Sequence, residues 1–201
     1  LGSIATPGRI LLCGEGSGQF LAALVRQFPA AAIMVVDNSQ AMLDVARRQS
    51  GGDSPRISWH HEDIFDWSPA DGPVDLIVAN FFLDCFDHES LACLAKRLAG
   101  FARPGASLLV ADFQFPEHRP MRWIALGLVW MLYRGFRLTT GMQATTLVDP
   151  APLLEHAGFQ LKTRAVLCAG LLRADHWQLR KDGMPDSHLT LCGPEASTGS
   201  F

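Results

Sequence analysis

Three glycines at alternate positions, Gly14, Gly16 and Gly18, follow the apolar run Ile10-Leu11-Leu12-Cys13 and lead into a helical pattern. Bare peptide at the end of a strand lets a ligand approach within contact distance where a side chain would block it. A second apolar run, residues 32–36, closes on Asp37, whose carboxylate can accept hydrogen bonds from a vicinal diol. A glycine turn after one strand and an acid after the next form the nucleoside-binding half of a doubly wound sheet. Dinucleotide sites use Gly-x-Gly-x-x-Gly, but here that last position is Gln19 and the third glycine falls one place early.

The elements that must hold these residues repeat as strand, helix, strand. Residues 19–28 carry apolar side chains at helical spacing and stop before Pro29. Asn38 and Ser39 can cap a helix over Gln40–Gln49, which ends at Gly51-Gly52. Strands are predicted at Ile57–His61, at the continuous apolar run 74–79, and at 107–111 after the stop Arg103-Pro104-Gly105; His88–Phe101 reads as the helix between the last two. A short helix at 152–157, closed by Gly158, precedes two β-like runs, 159–168 and 171–180, able to form a terminal hairpin. The expected fold is α/β: a doubly wound, mostly parallel seven-stranded sheet, with an antiparallel C-terminal hairpin and helices on both faces. One domain over 1–181 and a flexible Gly-, Pro- and Ser-rich tail over 182–201 complete it.

In this order the motifs resemble class I S-adenosylmethionine-dependent methyltransferases of the small-molecule, ubiquinone/menaquinone-methyltransferase-like type. The glycine loop matches the family's first motif. Val36-Asp37-Asn38-Ser39 with Met42-Leu43 matches the second, Glu62-Asp63-Ile64 the third and the segment from Val74 to Asn80 the fourth. Arg103-Pro104-Gly105 before Leu108-Leu109-Val110 matches its turn into strand five. The resemblance implies S-adenosylmethionine as cofactor and a cofactor site built from Gly14, Glu15, Gly16, Ser17, Gly18, Asp37, Asn38, Met42, Asp63, Ile64, Asn80 and Phe81. In it the glycine loop packs on the methionine part, Asp37 holds the ribose hydroxyls, Asp63 and Ile64 face adenine, and Asn80 and Phe81 border the methyl group. The family commonly carries an acid two residues before the first glycine; here that residue is Leu12, and Glu15 is the candidate for the cofactor's ammonium.

A sulfonium methyl is already electrophilic, so such an enzyme needs alignment and exclusion of water more than acid-base machinery. A phenol or thiol acceptor still gains from a base, and Asp84, His88 and Tyr133 are the candidates. Three phenylalanines and two carboxylates in the run from Phe81 to Asp87 can form an apolar acceptor pocket, or can plug the core and cap the next helix through Asp87. Residues 121–137, apolar almost all round and edged by Arg119, Arg122, Arg134 and Arg137, are too short to cross a bilayer. Packing on the sheet, a lid, a dimer face and peripheral membrane contact all fit them. These features favour a small hydrophobic or aromatic acceptor, and the amine-methylating Asn-Pro-Pro signature is absent after Val78.

Each motif also has a plainer reading. The glycine loop can be an ordinary strand-to-helix turn, Asp37 a cap for the next helix and Asp63 a turn cap, with Asp66 able to take its place. Composition narrows the classes. The 201 residues are 48% hydrophobic and 18% charged with a formal net charge of -3, which fits a globular chain without a basic nucleic-acid face. Five cysteines without Cys-x-x-Cys spacing fit reduced thiols in the cytoplasm, and the adjacent His60 and His61 point to opposite faces of a strand, so no metal site is expected. No signal peptide opens the chain, and the start at Leu1 leads us to expect further residues upstream. Two other readings stay open: a nicotinamide-dependent oxidoreductase, and a non-catalytic S-adenosylmethionine-binding regulatory or assembly protein.

Overall fold

The computed structural model describes residues 4–16, 18–52, 54–113, 148–168 and 172–182. Seven strands, β1 (Arg9–Cys13), β2 (Ala32–Asp37), β3 (Ile57–His61), β4 (Val74–Asn80), β5 (Ala102–Phe113), β6 (Phe159–Leu167) and β7 (Leu172–Leu179), form one sheet in the order β3-β2-β1-β4-β5-β7-β6. The first five run parallel, whereas β7 inserts antiparallel between β5 and β6. An antiparallel insertion at this edge separates the sheet from the all-parallel dinucleotide fold, order 3-2-1-4-5-6.

Side-chain alternation along each parallel strand builds two cores. Ile10, Leu12, Ile33, Val35, Leu76 and Val78 face Leu21 and Leu24 of helix α1 (Gln19–Gln27) and Leu43 of α2 (Gln40–Gln49). Leu11, Val36, Ile77, Leu108 and Val110 face Leu91, Leu94 and Leu98 of α3 (His88–Phe101), with Leu154 of α4 (Ala151–His156) and Trp177. Burying each such side chain contributes roughly 1.5–3 kcal/mol. Because the helices leave the sheet on opposite faces to either side of β1 and β4, a crevice opens between the carboxyl ends of those two strands.

The expected stop at Arg103-Pro104-Gly105 is instead a bulge inside β5. Ala102 pairs with Val74 and pairing resumes at Ser107 with Leu76, so the residues between loop out. The excursion lets Arg103 Nε reach Asp75 Oδ1 at 2.7 Å, while Asp75 Oδ2 accepts from the Gly8 and Arg9 amides, each at 2.9 Å. Asp75 thereby ties the entry of β1 to β4 and β5. At the other edge Arg164 donates two hydrogen bonds of 2.8 Å to buried Asp175, which also meets Arg173 Nε at 3.2 Å; Arg173 in turn reaches Asp149 before α4. Residues 121–137, Tyr133 among them, and the tail beyond Asp182 lie outside the described residues.

Candidate functional site

Cys13, Asp37, His61 and Asn80 end β1 to β4 at one edge of the sheet, so the sequence motifs converge there. Gly14 donates its amide to Val36 O at 3.0 Å, which ties the glycine loop to the end of β2. Two glycines take a left-handed backbone where a neighbour occupies the space of a side chain. Gly18 has φ +77° and a Cβ there would stand 2.8 Å from Ala46 Cα and O, so α1 can start against α2 only without a side chain. Gly14 has φ +62° and its missing Cβ leaves room for the Phe82 ring, which would otherwise lie 2.4 Å away. Gly16 is the open part of the loop: a Cβ would meet only Met42 Cε, at 3.5 Å, which puts Met42 beside the loop. Ser17 lies outside the described residues.

A cavity of about 390 Å³ occupies the crevice, within the range of small-molecule sites. Leu12, Cys13, Gly14 and Glu15 form one wall, Gln19, Phe20 and Ala23 of α1 another, and Asn80 with Phe81 a third. Glu15 Oε1 accepts from Phe20 N at 3.0 Å and Leu21 N at 3.1 Å, capping α1 from within its own loop. Burial nevertheless pushes its carboxyl up to about 6. Phe81 is half exposed at φ +52°, a conformation that costs a bulky residue about 1–3 kcal/mol, and its amide donates to Ala111 O. An aromatic ring held under strain at a cavity rim fits a ligand contact better than a packing role.

Asp37 Oδ1 accepts from Ser39 N at 2.8 Å, so the carboxylate turns the chain into α2 while Ser39 makes no side-chain cap; burial raises its carboxyl above the usual range. Asn38 is exposed beside it, with its carbonyl 3.2 Å from His61 Nε2. Asp63 is exposed and Oδ1 accepts from Phe65 N at 2.9 Å, while Ile64 is buried in the core. Asp37, Asn38, Met42, Asp63 and Ile64 do not line the cavity. His60 is half buried and packs edge-on against Trp67. Among the described residues no group of His, Cys, Asp and Glu could hold a metal ion.

On the acceptor side, Asp84 lies in a 3-10 turn, Leu83–Cys85, that follows Phe82. Burial raises its carboxyl. His88 is exposed in the first turn of α3 and does not line the cavity, and Asp87 caps that helix by accepting from Ser90 N at 2.8 Å. Of the phenylalanines in the run from Phe81 to Asp87, Phe82 covers Gly14; sequence reasoning missed Asp112, which is buried at the end of β5. An acid closing a parallel strand, as Asp37 does, was the available signal for Asp112.

Sheet order, glycine loop and crevice together define a class I methyltransferase fold, and residues 10–105 match the family model described as a methyltransferase domain. The chain carries a methyltransferase domain of the S-adenosylmethionine-dependent type. It is 35% identical over 125 residues to the trans-aconitate 2-methyltransferase of Methylobacterium nodulans, covering 61% of this chain and 46% of that one. The chain spans about half the length of the curated relatives it matches. In fold it is similar to an O-methyltransferase family protein from Burkholderia thailandensis (TM-score 0.68, 19% identity, 90% of this chain and 53% of that one). It is also similar to the N-methyltransferase NodS from Bradyrhizobium japonicum WM9, solved with S-adenosyl-L-homocysteine (TM-score 0.63, 18% identity, 87% and 79%).

Proposed function

We propose that this chain transfers the methyl group of S-adenosylmethionine to a small hydrophobic or aromatic acceptor by in-line displacement. The observation that carries the reading is the crevice between β1 and β4, walled by bare glycine loop on one side and by Asn80 and Phe81 on the other. The cofactor supplies an electrophilic methyl group; the protein's part is to hold, align and dry it. The open face at Gly16 gives the methionine part room, Glu15 is the carboxylate within reach of its ammonium, and the Asp37 carboxylate suits the ribose hydroxyls, with Asn38 beside it. Asp63 and Ile64, with Met42, are assigned to the adenine end. Asn80 and strained Phe81 face the methyl, and Asp84 is the base nearest them in the chain.

No helix of the described residues is long and apolar enough to cross a membrane, and Cys13, Cys85 and Cys168 form no disulfide. The free thiols fit the cytoplasmic location proposed here. Thermal unfolding with ligand tests the cofactor: S-adenosylhomocysteine at 100 times its dissociation constant should stabilise the native state by about 2.7 kcal/mol, while NAD should not. A shift with NAD and none with S-adenosylhomocysteine would replace this reading with the oxidoreductase.

A further inference from the structure

Beyond the cofactor crevice, the end of β5 holds an unusual group. Asp112 is 3% exposed, and neither carboxylate oxygen has a hydrogen-bond partner among the described residues. Its parity is that of Leu108 and Val110, so it points to the face where the 3-10 turn with Asp84 and Cys85 lies. The Cys85 thiol donates to Asp84 Oδ1 at 3.6 Å, and the turn that carries both packs against the end of β5, where the Phe81 amide is bonded to Ala111 O beside Asp112. Phe82 and Phe86, flanking the turn, pack edge to face at 5.2 Å, and Phe65 extends the cluster. A buried carboxyl with no hydrogen bond beside a second acid costs stability that Arg173, opposite it on β7, and the nearby Phe81 amide offset only in part. Such a cost is understandable where a cationic ligand completes the site.

We propose that Asp84 and Asp112 form an acceptor subsite that selects an amine nitrogen, with Asp84 the contacting carboxylate and Asp112 a positioning residue behind it. This rests on the methyltransferase reading and adds the acceptor's chemical class. When an amine is alkylated by a sulfonium, the N–C bond forms as the C–S bond breaks, the electron pair stays on sulfur, and positive charge appears on nitrogen. An arriving ammonium first gives one proton to the Asp84 carboxylate, which frees the lone pair and later returns the proton to water; the product leaves as a methylated ammonium. With Asp84 then protonated, the charge developing on nitrogen is met by Asp112 where that carboxyl is ionised, and aromatic edges suit the apolar body of the amine. A carboxylate acceptor meets the opposite field, which argues against carrying over the polycarboxylate named for the trans-aconitate relatives. Absence of an Asn-Pro-Pro segment removes one way of holding an amine, and the carboxylate pair supplies another.

Burial, then the Asp84 charge, pushes the Asp112 carboxyl up to about 8; Arg173 and the Phe81 amide pull against this, and Asp175 adds to it. Asp112 therefore ionises only as pH rises through that region, and a bound cation gains a second carboxylate there. The test uses the full chain saturated with S-adenosylhomocysteine, titrated calorimetrically with phenethylamine and, separately, with 3-phenylpropionate and trans-aconitate. Phenethylamine is expected to bind at least about tenfold tighter than either carboxylate, and more tightly again between roughly pH 7 and roughly pH 9, where its ammonium stays largely charged. Asp84→Asn should erase the preference, and Asp112→Asn should remove the rise with pH while S-adenosylhomocysteine still binds. Equal or tighter binding of a carboxylate, or a pH rise that persists in Asp112→Asn, overturns the proposal. Should either variant fail to fold, the wild-type comparison of amine with carboxylate decides alone. Loss of S-adenosylhomocysteine binding in the wild type would instead sink the parent reading.

Discussion

Replacing Gly18 by alanine should unfold the nucleoside site from behind. The new Cβ would stand 2.8 Å from both Ala46 Cα and Ala46 O, which are backbone atoms of α2 and cannot rotate away. Left-handed φ at a non-glycine residue adds about 1–2 kcal/mol, and forcing a methyl into a packed contact adds about 1–3 kcal/mol. Together they predict a loss of about 2–5 kcal/mol, a large part of a typical domain's stability. Gly14→Ala differs in kind, because the atoms met at 2.4 Å belong to the Phe82 ring, which can swing aside. Adding Phe82→Ala to Gly14→Ala should recover the steric part and leave the cost of the left-handed backbone, whereas nothing short of moving α2 rescues Gly18→Ala. Urea unfolding of the three variants, read as the midpoint at constant slope, measures these differences. A Gly18→Ala loss below about 1 kcal/mol would refute the claim that close helix approach, rather than turn preference alone, requires glycine there.

Further outcomes follow from charge. Affinity for S-adenosylhomocysteine should fall as pH drops through about 6, because the Glu15 carboxyl then takes up a proton that the ligand's ammonium must displace; Glu15→Gln should weaken binding and flatten that profile in calorimetry. Asp112→Asn should stabilise the fold near pH 8, with the gain shrinking toward pH 4: the native carboxyl keeps its proton up to about 8 while the unfolded one loses it near 4, so stability falls with rising pH across that window. Denaturation at several pH values reads both the sign and the window. Asp175→Ala should cost about 1.5–3 kcal/mol, since it takes the buried carboxylate from Arg164, which is partly open to solvent, and from Arg173, which keeps Asp149; a loss below about 1 kcal/mol in chemical unfolding would show that β6 and β7 hold without the network.

Local signals sufficed where an element is decided by its own residues. α2, α3 and β3 fall where caps, glycines and apolar periodicity put them. β5 was harder, because Pro104 and Gly105 read as a stop while Asp75, almost thirty residues earlier, pulls Arg103 into a bulge and keeps the strand going. The carboxyl-edge clustering of Gly14, Asp37 and Asn80 followed from topology alone. Their division of labour did not: Glu15 reaches the cavity by folding back onto the α1 amides, and Asp37 is already engaged by Ser39. Phe82 over Gly14 and the unpartnered Asp112 depend on contacts between distant segments, to which composition and spacing are blind.

A crystal structure with S-adenosylhomocysteine bound tests the central claim most directly. The account predicts its ribose hydroxyls on the Asp37 carboxylate, its amino-acid part along Gly14 and Gly16 with the ammonium at Glu15, and its sulfur facing Asn80 and Phe81. Ligand density anywhere else on the chain, or a ribose that leaves Asp37 untouched, would contradict it.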